Sequence, residues 1–152
     1  MQPIVDVRVQ AQDFSQDDVL YNLRGVSKGI GAVCCFTGLA RDLSNGAQVQ
    51  TVTLEHYPGM TEKSIARIVE QALARWPVMA VTVIHRVGIL RPSEQIVLVA
   101  VASSHRHAAF AACEFIMDFL KNRAPFWKKE RTPTGEQWVE TRSSDEEALR
   151  RW

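Results

Sequence analysis

"AVTVIHRVGILRPSEQIVLVAVAS", residues 80–103, is the stretch that decides the fold. Two strongly apolar runs, "AVTVIHRVGIL" and "QIVLVAVAS", flank the turn-forming "RPSE". Apolar, β-branched runs bounded by turn residues read as buried strands. A link this short joins antiparallel neighbours, because a parallel pair needs a crossover of a dozen or more residues. On the upstream side, "TEKSIARIVEQALARW" predicts a helix. Its Ile65, Ile68, Val69, Ala72, Leu73 and Trp76 share one face, Thr61 suits the N-cap region, and Pro77 stops it. On the downstream side, "HRHAAFAACEFIMDFLKNR" predicts a second long helix, with Ser104 as N-cap and Phe110, Cys113, Met117 and Leu120 on its buried face. Pro125 disfavours helix at Ala124 and ends it.

The flanking segments complete an α+β pattern. "IVDVRVQ" alternates with period two and reads as a strand. "SQDDVLYNL" opens on a capping serine and acidic first-turn residues, the marks of a short helix. "GAVCCFTGLAR", the turn "SNG" at 44–46 and "VQTVTLEHY" predict one long hairpin over 31–57. "FWKKER" and "QWVET" can pair across "TPTGE", and the tail "SSDEEALRRW" suits a short terminal helix. With strands arriving mostly as hairpins, the sheet is expected to be mainly antiparallel rather than doubly wound.

The 152 residues suit a single domain, 1–152, with a proper core. Hydrophobic residues make up 46% and charged residues 23%. The formal net charge of +1 supplies no global field for nucleic acid. No apolar run approaches 18 residues, so no membrane span is expected. "MQPIVDVRVQ" lacks the basic and apolar regions of a secretory signal. Cys34, Cys35 and Cys113 are odd in number and form no Cys-x-x-Cys, which argues against a disulfide framework or a zinc site. They read as small buried hydrophobes in a reducing cytoplasm.

Three places could bind an anion. In "FLKNRAPFWKKE", 119–130, Lys121 falls in the last helical turn, where a cation complements the negative helix end. Beyond Pro125, strand alternation puts Phe126, Lys128 and Glu130 on one face and Trp127, Lys129 and Arg131 on the other. A reversal at the proline would bring Lys121 and Lys128 together. In "SSHRH", 103–107, a helix N-terminus and the Arg106 fork suit phosphate. His105 and His107 lie about 200° apart on a helix, so they form no metal pair. Arg41 ends "FTGLAR", where Gly38 permits close backbone approach. His56 and His85 sit in strand patterns and read as core or rim histidines. Neither a phosphate-binding glycine loop nor a nucleophile elbow is present. By composition alone, a non-catalytic module that binds a phosphorylated molecule or a partner's tail is the alternative to an enzyme.

"TLEHYPGMTEKSIARIVEQALARWP", "VIHRVG", "SSHR", "FIMDFLKNRAPFWKKE" and the following "WVE" resemble the large, catalytic subunit of molybdopterin synthase. The likeness runs from about "GAVCCFTG" to the final "RW" and is weakest over residues 1–30. It implies an α/β hammerhead fold and a cytoplasmic homodimer. Each protomer would hold a small ubiquitin-like sulfur-carrier subunit, making a heterotetramer. The carrier's C-terminal Gly-Gly thiocarboxylate would deliver two sulfurs to cyclic pyranopterin monophosphate, forming the molybdopterin dithiolene. No cofactor or metal is implied. The family's essential lysine corresponds to Lys121 and its second lysine to Lys128. Substrate contacts correspond to Leu39, Ala40 and Arg41, to His105 and Arg106, and to the Lys128, Lys129 and Glu130 wall. Arg142 resembles an arginine that completes the phosphate site from the other protomer.

Overall fold

The computed structural model describes residues 2–44, 46–139 and 143–152. The elements run β1 (Ile4–Gln10), α1 (Gln16–Arg24), β2 (Ala32–Leu39), β3 (Leu43–Ser44), β4 (Ala47–Gln48), β5 (Thr51–His56), α2 (Met60–Arg75) and β6 (Val78–Arg86). They continue with β7 (Gly88–Leu90), β8 (Gln95–Ser103), α3 (Arg106–Arg123), β9 (Phe126–Thr132), β10 (Gly135–Val139) and α4 (Ser143–Ala148), ending in a 3₁₀ turn, Leu149–Arg151.

The opening stretch does build the core. β6 and β8 pair antiparallel at the centre of a sheet ordered β1-β6-β8-β2. Strand alternation explains why both runs are apolar throughout. Val97, Val99 and Val101 of β8, with Val81 and Val83 of β6, face α2 and α3. Leu98, Ala100 and Ala102, with Ala80 and Ile84, face α1. Helices cover both faces, so neither strand has a solvent side to make polar. β1 joins β6 in parallel, and it is the one parallel pair among the described residues. A second antiparallel sheet, β10-β9-β5-β7, buries Val52, Leu54 and Leu90 with Ala40 and Val49.

The run predicted over 80–90 divides between the two sheets. Gly88 carries φ +96, which admits glycine far more readily than other residues, and the chain turns there out of β6 into β7. The predicted hairpin over 31–57 does not form. Among the described residues β2 pairs only with β8, while β5 pairs with β7 and β9 in the other sheet. The turn expected at 44–46 contains Asn45, which lies outside the described residues; the strands on either side of it, β3 and β4, pair only with each other among the described residues. A local turn signal fixes the reversal and not the partners; apolar β2 gains more by covering β8 between the two helical layers.

Three smaller expectations also change. The N-cap of α3 is His105 rather than Ser104. Phe110 is 62% exposed. It lies about 120° around the helix from Ile116, the middle of the buried stripe, at ~100° per residue. The N-cap of α2 is Gly59, whose N–H bonds Glu62 Oε2 at 3.1 Å. Thr61 instead lies fully buried, with its hydroxyl accepting from Tyr57 N at 3.0 Å and donating to the Pro125 carbonyl at 3.1 Å.

Candidate functional site

Lys121 occupies the last turn of α3, and Ala124 leaves the helix with φ −79 and ψ 133, the extended geometry that a following proline enforces. Phe126 N bonds back to Ala124 O at 2.9 Å, so α3 reverses directly into β9. The Thr61–Pro125 bond ties this reversal to the start of α2. Replacing Thr61 by valine keeps the shape but strips both hydrogen bonds. We expect Thr61→Val to cost about 1–3 kcal/mol, measured by chemical denaturation.

The reversal brings Lys121 and Lys128 to one cavity of about 380 Å³. Arg41, Leu39 and Ala40 line it from the end of β2, Met117 and Leu120 from α3, Phe126 and Glu130 from β9, and His85 from β6. Ala40 is pinned at both backbone groups, to Glu94 O at 2.9 Å and Ser93 N at 2.8 Å, which sets where Arg41 emerges. Gly38 makes this possible, since a Cβ there would meet Val97 Cγ1 at 2.8 Å. Asp145 closes another side, and Asn122 Nδ2, beside Lys121, holds its carbonyl at 2.8 Å.

Glu130 is 2% exposed, with Oε2 3.9 Å from Lys128 Nζ and Oε1 enclosed without a hydrogen bond. A buried carboxylate in this state holds a lysine near it and asks for a further donor. Among the described residues, Arg41, Lys121 and Lys128 against Glu130 and Asp145 leave the lining with one net positive charge.

Other expected residues fall elsewhere. Lys129 does not continue the cavity wall: it faces the opposite side of β9, 3.4 Å from Glu136 and over the Trp138 ring at 5.3 Å. Strand alternation requires this. His105 and Arg106 are exposed at the far end of α3, about 22 Å along the helix from Lys121 at 1.5 Å per residue. Within one chain they do not join the lysines. Arg142 lies outside the described residues. Burial raises the thiols of Cys35 and Cys113 above the usual range, and none of the three cysteines lines this cavity. Such thiols are poor nucleophiles. No group of metal ligands occurs among the described residues, and none of the helices there is long and apolar enough to cross a membrane.

His85 was missed as a site residue. It shares strand parity with Val81 and Val83, which face the layer containing α3, and that was the available signal.

A family model described as "MoaE protein" matches residues 9–123. The chain belongs to the MoaE family. A relative from Ralstonia nicotianae, named molybdopterin synthase catalytic subunit, is 57% identical over 96% of this chain and 83% of its own length. The solved MoaE protein from Burkholderia ambifaria, named for molybdopterin biosynthesis, is 51% identical with a TM-score of 0.85, covering 98% of both chains. A molybdopterin synthase structure from Staphylococcus aureus is 31% identical with a TM-score of 0.79, covering 87% of this chain and 95% of the other. The cavity joining the end of α3 to β9 is the candidate site.

Proposed function

We propose that this chain is the catalytic subunit of a molybdopterin synthase, acting in the cytoplasm. It transfers two sulfurs from the thiocarboxylated Gly-Gly terminus of a small ubiquitin-like carrier to cyclic pyranopterin monophosphate. The observation that carries this reading is Lys121 and Lys128 facing one cavity with Arg41 in a MoaE-family fold.

The chemistry follows from charge. The substrate's cyclic phosphate is a diester with one negative charge. Opening the ring leaves a monoester that approaches two charges near pH 7, its second pKa being about 6. Fixed cations hold the opened form more tightly than the closed one, and only such differential stabilisation speeds a reaction. Lys121, at the cavity mouth, serves as general acid and base and orients the thiocarboxylate. Lys128, held beside Glu130, stabilises anionic intermediates.

The described residues lining one chain's cavity carry a single net positive charge, which is little for a dianion. A second copy would add a cation by presenting Arg106, with His105 beside it, from the exposed far end of α3 to this cavity. A homodimer within the heterotetramer would supply that added charge. The test mixes a Lys121→Ala chain with an Arg106→Ala chain and supplies thiocarboxylated carrier and pterin substrate. Activity that neither variant shows alone should appear on mixing, read as fluorescence of the oxidised pterin product. Two inactive parents that stay inactive after exchange of protomers is proven would remove the shared-site reading.

A further inference from the structure

His85 is an unusual group to find on a cationic cavity. It is 7% exposed on β6, and its ring stacks on Phe126 at 3.7 Å between centroids and 19° between planes. Its Nδ1 lies 2.8 Å from the Arg86 carbonyl. A carbonyl only accepts, so Nδ1 carries the proton, and in the neutral ring Nε2 is an acceptor. Nε2 has no hydrogen bond among the described residues, yet it is not one of their enclosed, unpartnered polar atoms. It is therefore the nitrogen left to the cavity that His85 lines.

We propose that His85 is a positioning residue for the sulfur-transfer reaction, its Nε2 accepting a hydrogen bond from the Lys121 ammonium when that side chain turns into the cavity. The inference rests on the lysine mechanism above. Lys121 has a flexible stem at an exposed helix end, so an unguided ammonium spends much of its time in water. A fixed neutral acceptor inside the cavity gives it one place to stand. The acceptor has to be neutral, because an imidazolium there would repel the lysine. Burial supplies that neutrality: it holds the His85 imidazole down to about 4, with Lys121 and then His56 pressing in the same direction. Around it, Lys121 comes from α3, His56 from β5, and Lys128 and Glu130 from β9. The Arg86 guanidinium is engaged elsewhere, on the carbonyls of Ala11 and Gln95.

Three substitutions separate this role from packing. His85→Phe keeps the stack on Phe126 and removes both nitrogens. His85→Asn can keep the donor to Arg86 and removes the cavity acceptor. His85→Gln places an amide oxygen where Nε2 stands. With preformed thiocarboxylated carrier and pterin substrate, kcat should fall about 10- to 100-fold in His85→Phe and His85→Asn. KM should change little, and His85→Gln should recover most of the loss. A packing role predicts the reverse order, with His85→Phe best. Folding is checked by thermal melting. Wild-type kcat in folded His85→Phe or His85→Asn overturns the proposal, as does folded His85→Gln no faster than His85→Phe. Lys121→Ala runs alongside. If that variant keeps its turnover, the lysine mechanism itself fails; if it is inactive while His85→Phe is fully active, only the present inference falls.

Discussion

Lys121→Ala should lower kcat by about 10²–10⁴-fold, the range for a lost general acid–base group. The protein should remain folded, because Lys121 is exposed and sits at a helix end rather than in the core. Lys121→Arg is the informative companion. Arginine keeps the charge but does not give up its proton in the accessible pH range. If the residue only neutralised phosphate, Lys121→Arg would retain most of its activity. As acid and base it must exchange a proton, so Lys121→Arg should fall close to Lys121→Ala. Single-turnover measurements with preformed thiocarboxylated carrier isolate this step from carrier loading. Turnover of Lys121→Ala near that of the parent chain would end the assignment.

The largest stability effect should come from Phe115→Ala. Phe115 is 1% exposed and meets Trp76 at 5.4 Å, Trp152 at 5.5 Å and Phe119 at 4.5 Å, while the Arg75 guanidinium lies 4.9 Å from its ring. The ring thus joins α3, the end of α2 and the C-terminal residue. Truncation removes apolar contact from all three and leaves a cavity that rigid neighbours fill poorly, at a cost of about 3–5 kcal/mol. In a domain of this size that lowers Tm on the order of 10 °C. Trp152 is otherwise held through its indole N–H to Asp118 Oδ2 at 2.7 Å and its carbonyl to Arg75 Nη2 at 2.9 Å. Intrinsic tryptophan fluorescence should report this loss before global unfolding. A Tm within 2–3 °C of the parent, an effect of about 1 kcal/mol, would show that the cluster repacks.

What the sequence made legible was local in origin. The Lys121–Lys128 juxtaposition needed only a helix stop at Pro125 and strand alternation beyond it, and both are near-neighbour rules. The apolar runs of β6 and β8 were equally plain, since burial on both faces leaves no polar alternation to confuse the reading. Partner choice was not legible. β2 and β5 were assigned to each other because a turn lay between them, whereas packing against distant strands settled the matter. His105 and Arg106 illustrate the same gap at larger scale. The residues nearest in sequence to a helix start say nothing of what meets that end in an assembly. His85 was passed over because a solitary histidine in an apolar strand is more often core, and only its parity with Val81 and Val83 distinguished it.

The turn at Gly88 has one more implication. The cavity draws its walls from both sheets: Arg41 and His85 stand at strand ends of the first, Lys128 and Glu130 in the middle of the second. The spacing of these charged groups accordingly depends on how one sheet is set against the other. A side chain at that pivot would meet open space but a strained positive φ, so its cost would fall on the link between the sheets rather than on any of the charges.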